Sequence, residues 1–369
     1  MEKSKMLLIA LGQGAGNIVD GLLSKNKRYN GLFFNSSLFD IKPLKNAVMD
    51  KNVYLYPGTD GSGRDRSRSR EMISDNVSGI GTLLRKYPQT EAIVIFSTMA
   101  GGTGSGAVKT FIKIAKAAIP NAKVNVVAIL PSLKEDELAF KNTIECWNDI
   151  NSVMDMVNDV KFVDNNKRNT YKEINKEVID SLDLAYNIIG IHPDGNIDNK
   201  DSFRINTADG TGLVLKLYDG VKDAKTAVDL AIENSVFVQP DIYDCDYLGI
   251  NLKIDGYDPN EVSKCFEVYK STYITYNNDN NIVVLGGCET PIEAIKLIKL
   301  SLDEKNKRKA ARSRKRSVMI DIDDNYEKNE EISIDNFLDD DFQFWYLKDN
   351  FNLTLVLLPE FLRMKLEKC

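Results

Sequence analysis

The sequence predicts an α/β protein: a mostly parallel sheet, a long helix, a second and smaller α/β unit with a mixed sheet, and a charged C-terminal tail. Three observations predict it. Short apolar runs alternate with helical patterns through roughly the first 130 residues, the order expected of a parallel sheet covered on both faces. Glycine-rich turns follow three of those runs, at the strand ends where such sheets bind ligands. Charge is segregated near the end, with eight Lys/Arg and no acid in 305–316, then ten Asp/Glu and one Lys in 321–341. Blocks of that kind are solvated rather than packed.

The elements follow in order. Met6 to Leu11 is an apolar run closed by glycine, a buried strand. The turn Gly12-Gln13-Gly14-Ala15-Gly16-Asn17 leads into a helix through Leu23. Leu32–Phe34, ending at Asn35, and Val53–Tyr56 are the next strands; Gly58 to Asp65 is a second glycine loop. Ala92–Phe96 is a fourth strand and runs into Ala100-Gly101-Gly102-Thr103-Gly104-Ser105-Gly106. Val108, Phe111, Ile112 and Ala115 then repeat at helical spacing. Lys123–Leu130 is a fifth strand, stopped by Pro131, and Tyr171–Ile189 is one long helix with Ile174, Val178, Leu182 and Ala185 on one face. Beyond it, strands are expected at 213–217, 247–254 and 281–285, and helices at 225–234, 259–269 and 291–302. The expected division is 1–170, a central helix 171–190, a second domain 191–302, and a flexible tail 303–369.

Composition excludes several classes of function. The 369 residues carry a formal charge of -6, which argues against a protein that mainly coats nucleic acid. Five scattered cysteines (Cys146, Cys245, Cys265, Cys288 and Cys369) form no CxxC pair, so neither a zinc site nor a disulfide framework is expected. The single histidine, His192, cannot supply a histidine cluster or a catalytic triad. No apolar run reaches the ~18 residues of a membrane span. A cytoplasmic location is expected.

The glycine loops suit a phosphate chain. Glycine lets the backbone approach closely, and a helix N-terminus adds aligned N–H groups and a positive dipole end. Ala100–Gly106, between strand and helix, offers both, and Thr103 and Ser105 add hydroxyls. A Gly-x-x-x-x-Gly-Lys-Ser/Thr loop is absent, which excludes a P-loop NTPase. Gly12–Gly16 fits the dinucleotide fingerprint poorly.

The stretch Ala100 to Gly106 resembles the Gly-Gly-Gly-Thr-Gly-Ser/Thr-Gly signature of the tubulin/FtsZ family, differing only at Ala100. Gly12 to Asn17 resembles the family's first nucleotide loop, Asn35 falls on the second, and Gly58 to Asp65 on the third. The resemblance implies a GTPase that assembles into head-to-tail filaments. It implies GTP contacts from Gly12, Gln13, Gly14, Ala15, Gly16, Asn17, Asn35, Gly61, Ser62, Gly63, Arg64, Gly101, Gly102, Thr103, Gly104, Ser105, Gly106 and Pro131. Glu135 would meet the ribose, Asn142 the base or sugar edge, and Asn165 and Asn175 the guanine. Asparagine amides suit a base edge, having both a donor and acceptors. Asn196-Ile197-Asp198-Asn199-Lys200-Asp201 resembles the family's catalytic Asn-x-Asp-x-x-Asp loop, so Asp198 and Asp201 would act on the nucleotide of the neighbouring subunit. Mg²⁺ would be held by the phosphates, with no protein ligand. The pattern around Asn142, Asp164-Asn165, Phe203 and Asn206-Thr207 is similar to the TubZ branch, tubulin-like partition proteins of plasmids and phages. That implies a DNA-binding adaptor as partner, engaged by the basic stretch 305–316. Leu358 to Arg363 is similar to the partner-docking peptide of FtsZ, which keeps a cell-division filament as the alternative. An NAD(P)-dependent oxidoreductase is a further alternative, but it needs an acid where Asn35 stands. A filament that does not hydrolyse remains open because of Ala100.

Overall fold

Apolar runs in the first half become strands, and each is returned to the same sheet edge by a helix, as parallel pairing requires. The computed structural model describes residues 1–318 except Thr59, Asp241, Ile242 and Asn278, together with two short strands near the C-terminus. In the first half β1 (Met6–Leu11), α1 (Gln13–Lys25), β2 (Asn30–Asn35), α2 (Leu38–Ile41) and β3 (Val53–Leu55) come first. They are followed by α3 (Arg66–Asp75), α4 (Val77–Leu84), β4 (Ala92–Thr98), α5 (Thr103–Ala118), β5 (Lys123–Leu130), α6 (Glu137–Asn151), β6 (Asp159–Asp164) and α7 (Tyr171–Tyr186). The second half holds β7 (Gly190–His192), β8 (Gly195–Ile197), α8 (Asn199–Asn206), β9 (Gly210–Lys216), α9 (Ala224–Asn234) and β10 (Asp244–Lys253). After these come α10 (Pro259–Ser263), β11 (Glu267–Asn277), β12 (Ile282–Cys288) and α11 (Ile292–Val318). Residues 1–310 pack as one unit. In the remainder, β13 (Gln343–Phe344) pairs antiparallel with β14 (Leu357–Leu358).

Ten strands form one sheet in the order β11-β10-β12-β9-β6-β5-β4-β1-β2-β3. From β3 to β9 all pairs are parallel, and β12 is antiparallel to both β9 and β10. The mixed sheet expected in the second half is therefore continuous with the first, joined through Asp159↔Gly210 and Val160↔Thr211. One apolar core runs under α1 and α7 from Leu8 to Leu213 and Val283. Another lies on the opposite face around Phe111, Phe140 and Phe162.

Two expectations are corrected, and one strand was not foreseen. The helix expected over 259–269 is only α10, capped by Asp258 and started by Pro259. From Glu267 the alternating β-branched and aromatic residues form β11 instead. β6 was hidden because Asp159 and Lys161 interrupt its apolar pattern. Both are buried, 2% and 1% exposed, and joined at 2.6 Å. The helix expected to end at 302 continues to Val318, so the basic stretch begins as helix. Among the described residues no helix is long and apolar enough to cross a membrane.

Candidate functional site

The carboxyl ends of β1, β2, β4 and β5 open on one cleft of about 650 Å³. Two helices point their first turns into it. α1 starts at Gln13 behind Gly12, and α5 starts at Thr103 behind Gly102; neither N-cap supplies a side-chain hydrogen bond. By contrast Asp65, Asp136, Thr170, Asp198, Asp223 and Asp258 cap their helices with side chains. The first N–H groups of α1 and α5 thus face the cleft without a side-chain cap, the arrangement that receives an anion. Gly12 has φ 82°, open to glycine at little cost. At Gly104 a Cβ would lie 2.5 Å from the Leu11 carbonyl oxygen, so the close approach of α5 to β1 at that point requires a residue without a side chain.

The expected turn at 12–17 is corrected: only Gly12 is turn, and Gln13 to Asn17 is the first turn of α1. Of the expected site residues, the cleft is lined by Gly12, Gln13, Gly14, Asn17, Gly61, Ser62, Gly63, Arg64, Gly101, Gly102, Thr103, Gly104, Glu135, Asn165 and Asn175. Among the described residues the amides of Gln13, Asn17, Asn165 and Asn175 have no hydrogen-bond partner within the chain. They leave donors and acceptors for a polar ligand. Thr103 Oγ1 lies 3.0 Å from Ser36 Oγ and donates to Ser62 Oγ at 3.1 Å, tying the cradle to the loop opposite. Arg64 bridges Asp136 in a bidentate pair at 2.7 and 3.0 Å. That pairing holds the Asp136 carboxyl below the usual carboxylate range. Glu135 accepts from Ser132 N and from the Tyr171 hydroxyl.

Seven expected residues stand elsewhere. Ala15 and Gly16 are buried in α1. Asn35 is buried and accepts from Ser36 N and Ser37 N, shaping the second loop rather than facing the cleft. Ser105 is buried and its hydroxyl donates to the Gly101 carbonyl, so it is not offered to a phosphate. Gly106 lies against Arg66 and Ser69. Pro131 is buried beside Asn166, which donates to its carbonyl. Asn142 is 4% exposed, and its amide donates to the carbonyls of Arg64, Ala100 and Gly101 at 3.0, 3.1 and 3.4 Å. It supports the loops from behind and does not reach a base or sugar edge. Ser36, Ser37, Asp40, Thr98, Ile129, Leu130 and Tyr171 line the cleft without having been expected. Tyr171 was legible: it is the first residue after the Thr170 cap, one turn before Asn175 and so on the same face. Its ring is half-exposed and suited to stacking on a planar base.

Asp198 and Asp201 do not line the cleft. They lie beyond the other end of α7, whose 16 residues span about 24 Å. Asn175, near its start, is on the cleft. Asp183, near its end, binds Lys3 at 2.6 Å and Tyr29 at 2.9 Å, before β1 and β2 begin. Asp198 caps α8: its Oδ1 accepts from Lys200 N at 2.7 Å and Asp201 N at 2.9 Å, and Asp201 Oδ2 accepts from Asp198 N at 3.2 Å. The backbone bond from Asp201, followed by that from Lys200, lowers the Asp198 pKa. A carboxylate held ionised in this way orients water well and is a weak proton acceptor.

Residues 5–170 match the family model described as the Tubulin/FtsZ family, GTPase domain. The tubulin-like protein TubZ of Clostridium botulinum C phage is 30% identical over 347 residues, covering 90% of this chain and 96% of that protein. The chain belongs to the tubulin/FtsZ family. It resembles TubZ within it, and it is a GTPase. The tail-truncated structure of the C. botulinum phage c-st TubZ superposes with a TM-score of 0.77 at 29% identity, covering 84% of this chain and all of that one. CetZ1 of Haloferax volcanii is 24% identical over about half of each chain. A GTPγS-form protofilament structure of Bacillus thuringiensis TubZ shares the fold, with a TM-score of 0.69 at 15% identity. Family membership removes the oxidoreductase alternative. Ala100, the one departure from the family signature, needs no glycine: it is not among the positive-φ residues.

Proposed function

We propose that this tubulin/FtsZ-family GTPase assembles head to tail into filaments and hydrolyses GTP at each junction, in the cytoplasm, to move plasmid or phage DNA. One observation carries the reading. The cleft and the Asp198–Asp201 loop lie at opposite ends of α7, so one chain holds both halves of a catalytic site and cannot join them by itself. Stacking in one direction brings the loop of one subunit over the cleft of the next, a heterologous contact that propagates. Ile191, on the hairpin between α7 and that loop, is 91% exposed and offers an apolar contact to the neighbour.

In the cleft, the first turns of α1 and α5 would hold the phosphates, and Ser62, which accepts from Thr103 and keeps its own hydroxyl hydrogen, would donate to them. Tyr171, Asn165 and Asn175 would hold the guanine, and Glu135 the ribose. Among the described residues no cluster of three or more His, Cys, Asp or Glu could hold a metal ion. The hydroxyls and the Asp40 carboxylate of the cleft fit an ion carried on the phosphates. Mg²⁺ bound there would supply charge neutralisation at the leaving phosphate. Asp198 and Asp201 of the neighbour orient the attacking water.

The DNA role rests on the TubZ similarity and the basic helix. Lys305 and Lys309 are turned onto α6, where Lys309 meets Glu137 at 2.9 Å, whereas Lys307 and Arg308 face outward. The acidic block and the segment 358–363, which motivated the cell-division alternative, lie almost wholly outside the described residues. Sedimentation tests both parts of the proposal. With a slowly hydrolysed GTP analogue the chain should pellet as filaments, and with GDP it should not. Plasmid or phage DNA with its DNA-binding adaptor should pellet with them. Changing Arg312, Arg314, Lys315 and Arg316 to Glu should leave the filaments and lose the DNA. DNA retained by that variant would remove the basic helix from the account.

A further inference from the structure

We infer that Asn142 is a positioning residue for the GTPase reaction: from behind the cleft it sets the distance between the loop at 61–64 and the phosphate cradle at 100–104. This rests on the cleft being the nucleotide site. Asn142 is on the second turn of α6 and touches no open space of the cleft. Its single amide nitrogen joins three carbonyls from two loops: Arg64 on one side, and Ala100 and Gly101 on the other. Its own carbonyl accepts from Arg66, which is 4% exposed and also donates to the Ser105 carbonyl. Arg66 is anchored in turn by Glu145 at 3.2 Å and by Asp149.

Arg64 is therefore held twice by one helix. Asn142 holds its carbonyl and Asp136 holds its guanidinium. It needs the restraint, because its φ of 63° is one that side-chain-bearing residues rarely adopt. The loop fixed in this way faces the cradle at the Ser62–Thr103 contact of 3.1 Å. On this proposal the diphosphate lies on the cradle, and the third phosphate reaches the 61–64 loop, which lines the same cleft. Shifting that loop should therefore cost the triphosphate more than the diphosphate, and should lower kcat because the scissile phosphate is no longer aligned.

The test compares Asn142→Ser, Asn142→Ala and Asn142→Asp in the full chain, reading GTPγS and GDP affinities separately together with kcat and KM. Ser keeps one donor, Ala none, and Asp places a carboxylate against carbonyl oxygens. The preference for GTPγS over GDP should fall in the order Asn, Ser, Ala, by about tenfold at Ala. GDP affinity and the melting transition of Ser and Ala should stay near wild type. A buried Asp facing carbonyls has its pKa raised, and its protonated form regains a donor. Turnover of Asn142→Asp should accordingly recover as pH falls, while the wild type does not. Equal losses of GTPγS and GDP binding, or an unchanged preference in Ser and Ala, would overturn the assignment. Gly104→Val serves as the control. If it leaves nucleotide binding intact, the cleft assignment itself has failed, independently of Asn142.

Discussion

Asp198→Asn should leave GTP affinity within about twofold of wild type and lower GTP turnover by on the order of a hundredfold, the usual cost of misplacing a reacting group. Asparagine is the informative replacement. Its Oδ1 still accepts from Lys200 N and Asp201 N, so α8 keeps its cap while the charge facing a neighbour is lost. Alanine would also remove the cap, costing about 1 kcal/mol, and would mix a folding effect with a chemical one. Because GTP then persists at the junctions, filaments of Asp198→Asn should outlast those of the wild type in a sedimentation time course. If GTP binding by the isolated subunit is lost instead, the loop belongs to its own subunit's site and the cross-subunit assignment is wrong.

Gly104→Val should reduce GTP affinity by at least a hundredfold, about 2.7 kcal/mol. The cause is local. A Cβ at that position meets the Leu11 carbonyl oxygen at 2.5 Å and Ser97 Oγ at 2.9 Å. The closer of the two is backbone on a central strand and cannot swing aside. The first turn of α5 must instead lift off β1, taking its N–H groups out of line with the phosphates. Overpacking of this kind also costs about 1–3 kcal/mol of stability, so titration with a fluorescent GTP analogue should be paired with a melting curve. Wild-type affinity in a folded Gly104→Val protein would remove the cradle from the account. Ala100 makes the contrast, since a methyl group there is accommodated without a positive φ.

Local chemistry made much of this legible. The β1 and β5 boundaries follow the apolar runs Met6–Leu11 and Lys123–Leu130. The cleft's glycines and amides were readable because close backbone approach and base recognition each call for particular residue types. What failed depended on burial and on partners that no motif shows. β6 looked polar because of Asp159 and Lys161, which are buried inside the sheet by pairing with each other. Asn142 was expected as a ligand contact from the family resemblance, whereas the three carbonyls it faces belong to loops far from it in sequence. Ser36, Thr98 and Leu130 line the cleft only because of where their strands end. The continuity of the two half-sheets rests on the β6–β9 pairing, to which no motif points.

The central claim is that the active site is completed by a second subunit. GTP turnover per molecule, measured across a series of protein concentrations with light scattering followed in the same samples, tests it most directly. The composite site predicts turnover near zero at low concentration and a steep rise at the concentration where scattering begins. A turnover per molecule that is already full before scattering begins, and stays flat through it, would contradict the account.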